Sequence, residues 1–347
     1  GVGLNMVLTT ETQKLNAIGG PTDPTPFATL FTGMVFANLF YWCTNQYVIQ
    51  RTLAARSLAE GQKGVLLSGF FKVLVPLLMM IPGVVAYHLY GPELQSIDLA
   101  YPQLVRDVLP VYATGFFLAV LLGAVLSSFN SLINSASTLF CIDVYQPLVG
   151  RAVSDAEMVR VAKRVGLLMT GFSLLVAPLL QFAVEGLWQV IRIFTGFYNI
   201  PMIAIVVIGL FTRQVPAVAA KVVIVFHIVA YGTFQFVLKD LLPVHFLHLY
   251  AILFVLEVAM MLAIGVWRPR QEEATIRQTA EVDLTPWAYA QPCALTLLSC
   301  VAALYVVFSP VGLVGDSSNL FAPILLGLLA LNVLFWFGWH RRLAAGP

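Results

Sequence analysis

Residues 27–49 read FATLFTGMVFANLFYWCTNQYVI, an apolar run of spanning length whose centre, Ala37 to Gln46, is filled with amides, hydroxyls and large rings. A helix needs about 20 apolar residues to cross the hydrocarbon core of a bilayer, and leucine would be the undemanding choice at mid-depth. Asn38, Tyr41 and Trp42 stand at i, i+3 and i+4, on one helical face. Such a face suits a hydroxyl-rich ring, because amides bond hydroxyls while flat aromatic faces cover the C–H side. The same residue types also join neighbouring helices inside a membrane. Residue type alone leaves both readings open.

The rest of the chain supports a bilayer as its solvent. Hydrophobic residues make up 59% and charged residues 10%, and the mean hydropathy is +0.87, whereas soluble domains carry about 25% charged residues. The balance of 19 basic against 17 acidic residues gives no field that would gather nucleic acid. Further apolar runs occupy 65–90, 111–142, 163–184, 188–212, 216–238, 244–267, 291–309 and 319–339. With the first they predict an all-α membrane protein of about nine transmembrane helices, whose two ends lie on opposite sides.

Basic residues orient the spans. If the loop with Arg51, Arg56 and Lys63 is cytoplasmic, alternation puts Arg151, Arg160, Lys163, Arg164, Arg213, Lys221, Arg268, Arg270, Arg277, Arg341 and Arg342 on the same side. Lys14, Arg106 and Lys239 fall opposite. The expected arrangement is an N-terminus outside and a C-terminus in the cytoplasm, in the cell membrane. The chain opens at Gly1 without an initiator Met, as if within a longer product, and residues 1–26 read as an extracellular loop rich in Gly and Pro.

Several polar groups sit inside the runs. Lys72 lies seven residues from the cytoplasmic end of the second, about 10 Å deep at the helical rise. An ammonium there needs a partner or a wet cavity: it donates to a bound hydroxyl, snorkels or is paired internally. The third run holds GAVLSSFNSLINSAST at 123–138. Small hydroxylated residues favour close helix packing, but the Ala124 carbonyl with the Ser127 and Ser128 hydroxyls also offers three oxygens to a hard cation such as sodium. Arg192, near the start of the fifth run, can reach the outer interface. Glu257 and His227, deep in the seventh and sixth, admit pairing, neutrality or a helix seam, and the sequence assigns neither a role.

No HExxH, GxSxG or phosphate-cradling loop occurs, which argues against an enzyme. Cys43, Cys141, Cys293 and Cys300 lie in or beside apolar runs and suggest neither disulfides nor a metal.

The segment Asn38 to Ser57, NLFYWCTNQYVIQRTLAARS, resembles the signature of the sodium/solute symporters, most closely their sugar branch. The likeness continues through Glu60-Gly61-Gln62-Lys63-Gly64 to Lys72, through Ser127-Ser128, and through Asn134 to Phe140, Asp143 and Tyr145. It implies a five-plus-five inverted-repeat core, of which residues 27–212 are the second repeat with its first span broken. Two peripheral helices (213–267), a cytoplasmic loop (268–290) and two C-terminal helices with a short tail (291–347) would follow, and the first repeat would be absent. It further implies sodium-coupled sugar or polyol transport. Asn38 and Lys72 then bind sugar, and Tyr41 caps the site as an inner gate beside Trp42. Ala124, Ser127 and Ser128 would hold the co-transported sodium ion. Arg192 falls where the sugar branch carries a substrate-contacting glutamine, which implies an altered sugar, an acidic sugar or a local shift in alignment. Rival readings are a sensor or scaffold on the same fold, which calls for a soluble signalling domain, and a family member coupled to protons or carrying another solute.

Overall fold

The computed structural model describes residues 12–94, 96–182, 186–239, 241–242, 244–270, 282–315 and 319–344. Its helices are α1 (Gly33–Cys43), α2 (Gln46–Leu53), α3 (Leu58–Tyr90), α4 (Ala100–Val108), α5 (Val111–Leu139), α6 (Asp155–Val176), α7 (Leu187–Phe211), α8 (Ala217–Thr233), α9 (Phe246–Trp267), α10 (Ala290–Val307) and α11 (Phe321–Ala344). A wider π turn, Phe140–Tyr145, carries α5 on into Gln146–Val149, and another, Phe234–Leu238, extends α8. Among the described residues the only β pairing is an isolated bridge between Ser57 and Asp283.

Among the described residues eight helices are long and apolar enough to cross a bilayer, and the 11-residue α1 is apolar but short. The run predicted over 27–49 is thus divided into the 3₁₀ turn Phe27–Phe31, α1 and α2. Several basic residues counted for the cytoplasmic side lie within helices, Lys63 in α3 and Lys221 in α8 among them. Arg160, Lys163 and Arg164, expected in a loop, belong to α6, because Ser154 accepts a hydrogen bond from Glu157 N (3.3 Å) and starts the helix early. The same Ser-x-x-Glu device, Ser57 with Glu60 N at 3.3 Å, starts α3. Arg277 and the acids Glu272, Glu273 and Glu281 of the expected cytoplasmic loop lie outside the described residues.

The chain divides into two units. One comprises Gly1–Phe31, Thr52–Leu104 and Ile276–Pro347, in which α3 packs on α10 and α10 on α11. Trp336 donates to the Thr296 hydroxyl (2.9 Å) and Trp339 to the Ala288 carbonyl (2.7 Å). The wet end of α3 is tied down by Leu58 N to the Asp283 carbonyl (2.9 Å) and by Trp287 N to the Gln62 side chain (2.7 Å). Pro76 and Pro82 stand within its 33 residues.

The other unit, Thr32–Arg51 with Val105–Thr275, holds α1, α7, α8 and α9 as one packed group, with α5 against α6. Its core is built from Ile200, Tyr231, Phe246, Leu247, Tyr250 and Leu253, with Met34, Phe36 and Ala37 of α1 against it. α1 meets α9 backbone to backbone at Gly33, where any Cβ would fall on the Leu247 carbonyl. Helices without a hydrophobic driving force between them associate through such small-residue contacts.

Candidate functional site

α1 ends at Cys43 because the next two residues are short and polar. The Thr44 hydroxyl turns back onto the Phe40 carbonyl at 2.9 Å, Thr44 N reaches it at 3.0 Å, and Asn45 N reaches five residues back to it at 3.0 Å. Asn45 then opens α2, accepting at its carbonyl from Val48 N and Ile49 N at 3.0 Å. Thr and Asn side chains compete with the helical ladder in this way. The outcome is a helix broken within an apolar run, a feature tolerated in membranes only where the backbone lines a cavity or is buried in protein.

Aromatic rings gather at the break. Tyr47 donates to the Tyr41 hydroxyl at 2.9 Å, and both Trp42 (5.3 Å between centroids) and Tyr47 (5.9 Å) stand edge-on to the Tyr41 ring. Phe40, on the opposite side of α1, is buried edge-on against Tyr198 of α7. Asn38 is exposed on the turn above, its amide donating to the Met34 carbonyl at 2.9 Å. Tyr41 is half-buried and Trp42 exposed.

Ala124, Ser127 and Ser128 all lie on the exposed surface of α5. One turn on, Ser131 donates to the Ser127 carbonyl (3.0 Å) and accepts from the Arg51 guanidinium (2.6 Å). Gln50 reaches the Ser131 carbonyl (3.5 Å) and accepts at its side-chain oxygen from the Asn134 amide (3.4 Å). A polar network thus joins the far side of the break to the serine-rich stretch of α5. Sequence reasoning missed it: Arg51 had been assigned to the cytoplasmic charge, and Gln50 to no role. Their positions immediately after the break, facing a serine-rich helix, were the available signal.

Arg192, on α7, is half-buried, with its guanidinium 3.6 Å from the Met34 sulfur and 5.6 Å from the centre of the Phe246 ring. These contacts set it against α1 and α9. Lys72 is exposed on α3 and belongs to the other unit. His227 and Glu257, left without a role by the sequence, are hydrogen-bonded to one another and fully buried. Among the described residues no three of His, Cys, Asp and Glu gather as a metal site.

Known proteins resemble this chain in sequence. The model of the Sodium:solute symporter family matches residues 5–223. The chain is 39% identical over 340 residues to the symporter YidK of Escherichia coli (strain K12), across 98% of this chain and 59% of that protein. It is 30% identical over 300 residues to the sodium/glucose cotransporter of Vibrio parahaemolyticus, across 81% of this chain and 54% of the relative. With the human sodium/myo-inositol cotransporter 2 it shares 34% identity over 210 residues, 56% of this chain and 31% of the other. The chain therefore spans little more than half the length of the first two. Broken first helix, serine-bearing α5 and family match together place this all-helical membrane chain in the sodium:solute symporter family.

Proposed function

We propose that the complete protein couples the inward movement of sodium to uptake of a sugar or polyol by alternating access, and that this chain supplies its second repeat and the peripheral helices. The observation that carries the reading is the break at Thr44-Asn45 beside Tyr41, Trp42 and Tyr47, in a chain of this family. Relatives named for glucose and myo-inositol support a hydroxyl-rich solute. In this reading Asn38, Lys72 and Arg192 donate to its hydroxyls, Trp42 covers its apolar side and Tyr41 closes the inner gate. The Ala124 carbonyl and the Ser127 and Ser128 hydroxyls contribute to the sodium shell. The first repeat covers these exposed polar faces and completes both sites, while lipid surrounds the rest. Residues 27–212 form the repeat, 213–267 and 291–347 the peripheral helices, with the N-terminal side of the chain outside the cell membrane and its C-terminus in the cytoplasm.

Coupling requires sodium to prefer one of two conformations. Its contacts favour the outward-open, solute-competent state, and reciprocal linkage of 1–3 kcal/mol, roughly 5- to 150-fold in affinity, is typical of such sites. The test is uptake of labelled glucose and myo-inositol into proteoliposomes bearing the complete transporter. Uptake driven by a sodium gradient, with Ser128→Ala needing more sodium and Lys72→Ala more solute, is expected. Uptake equal in sodium and choline, or driven only by protons, refutes the proposal.

A further inference from the structure

α7 is weak on its own between Arg192 and Pro201. Gly196 costs about 1 kcal/mol relative to Ala in a helix, and Pro201 has no N–H to offer the Phe197 carbonyl. That stretch is held instead by side chains of two neighbouring helices. Tyr250 of α9 donates to the Arg192 carbonyl at 2.8 Å, Tyr231 of α8 to the Ile193 carbonyl at 3.0 Å, and His227 Nε2 lies 3.0 Å from the Gly196 carbonyl. A carbonyl only accepts, so His227 carries a proton on Nε2. Its other nitrogen, Nδ1, bonds Glu257 Oε1.

The protonation of Glu257 follows from its second oxygen. Both side chains have zero exposure, and Glu257 Oε2 is buried with no hydrogen-bond partner among the described residues. An ionised carboxylate with an unpartnered oxygen in a dry interior carries a large desolvation cost, whereas the carbonyl oxygen of a neutral acid carries a small one. Glu257 is then the neutral acid, its O–H donating to Nδ1, and the imidazole is neutral and donates onward to Gly196. Among the described residues, the titratable and charged groups around the pair on the packed elements are Tyr231, stacked on the imidazole at 5.5 Å, and, bonded hydroxyl to carbonyl, Tyr250 on α9 and Arg192 on α7. From α1, the apolar Met34, Phe36 and Ala37 pack against this core.

We propose that His227 and Glu257 are positioning residues: the relay Glu257 O–H to His227 to the Gly196 carbonyl fixes the turn of α7 that presents Arg192 to the transported solute. The assignment of Arg192 to the solute rests on the function proposed above. The relay itself does not.

Two variants of the complete transporter separate positioning from simple folding. Glu257→Gln keeps a neutral donor to Nδ1, and its uptake kinetics match wild type within about twofold. The double change His227→Phe with Glu257→Met removes both buried polar side chains together and leaves the Gly196 carbonyl its place in the helical ladder of α7, so it folds, but it takes away the side-chain tether to that carbonyl. Its apparent KM for glucose or myo-inositol rises about tenfold, equivalent to ~1.4 kcal/mol, while kcat stays within about twofold. Hydrogen–deuterium exchange in detergent reads the same relay without any transport: the double variant loses protection over residues 192–196, and Glu257→Gln does not. Unchanged protection in the double variant overturns the relay. A raised exchange rate with unchanged KM overturns the positioning of solute. Absence of glucose and myo-inositol uptake in the wild type counts against the proposed function, and exchange then decides the relay alone.

Discussion

Gly196→Ala is the substitution whose effect the structure fixes most closely. A Cβ at this position would lie inside the contact radius of the Tyr250 hydroxyl and 2.7 Å from the Tyr231 hydroxyl. These are the two groups that hold the Arg192 and Ile193 carbonyls. A methyl group therefore displaces both. Interhelical hydrogen bonds inside membranes are worth about 0.6 kcal/mol on average and up to ~1.7, so losing two costs roughly 1–3 kcal/mol. Forcing the extra carbon into a packed core adds about 1–3 kcal/mol, and the better helix propensity of Ala returns about 1 kcal/mol. The net expectation is a loss of about 3 kcal/mol. Thermal unfolding of the purified transporter in detergent measures it, and Gly196→Ala with Tyr250→Phe, which removes the nearer hydroxyl, should recover part of the loss. An unfolding midpoint at or above wild type, as an ordinary Gly→Ala change in a helix would give, refutes the packing described here.

The other expectations are briefer. Replacing Thr44 and Asn45 together by Ala lets α1 run on into α2, so stability in detergent rises while solute uptake falls by at least about tenfold, because good helix formers favour the unbroken state. Ser131→Ala removes the acceptor of the Arg51 guanidinium; at about 1.5 kcal/mol, the lower end for a bond to a charged group, uptake at limiting sodium should drop about tenfold, and Arg51→Gln, which keeps a donor, should be milder than Arg51→Leu. The Thr285 hydroxyl, and with it the Thr285 N–H, holds the Asp283 carboxyl below the ordinary carboxylate range. Its contribution is complete above the unfolded value and lost as pH falls through the folded one, so protection of the Thr285 amide should decline in acid, and Asp283→Asn, which keeps the acceptor without titrating, should remove that decline.

Much of this was legible because apolar length and charge placement are properties of single segments. The long helices follow the apolar runs, and the polar centre of 27–49 marks where the first one breaks. The starts of α3 and α6 were encoded too, in Ser57 with Glu60 and Ser154 with Glu157, and reading those capping pairs would have placed Arg160, Lys163 and Arg164 on a helix. The hidden features are those that join distant segments. His227 and Glu257 are 30 positions apart and Tyr250 meets a carbonyl 58 positions away, and no local period announces either. Gly196 looks like an ordinary glycine until the two tyrosines above it are placed. The contacts of Arg192 with Met34 and Phe246 likewise leave no trace in the sequence.

The length of α3 has a mechanical consequence. Its 33 residues make a rod of about 50 Å at ~1.5 Å per residue, against a hydrocarbon core of about 30 Å. Some 20 Å must lean or project, and the end bearing Glu60, Gln62 and Lys63, moored to Asp283 and Trp287, is the one suited to water. A tethered rod with Pro76 and Pro82 partway along it bends at the prolines before it slips at its mooring. Strain applied at the wet end is thereby delivered to mid-bilayer, a short way beyond Lys72.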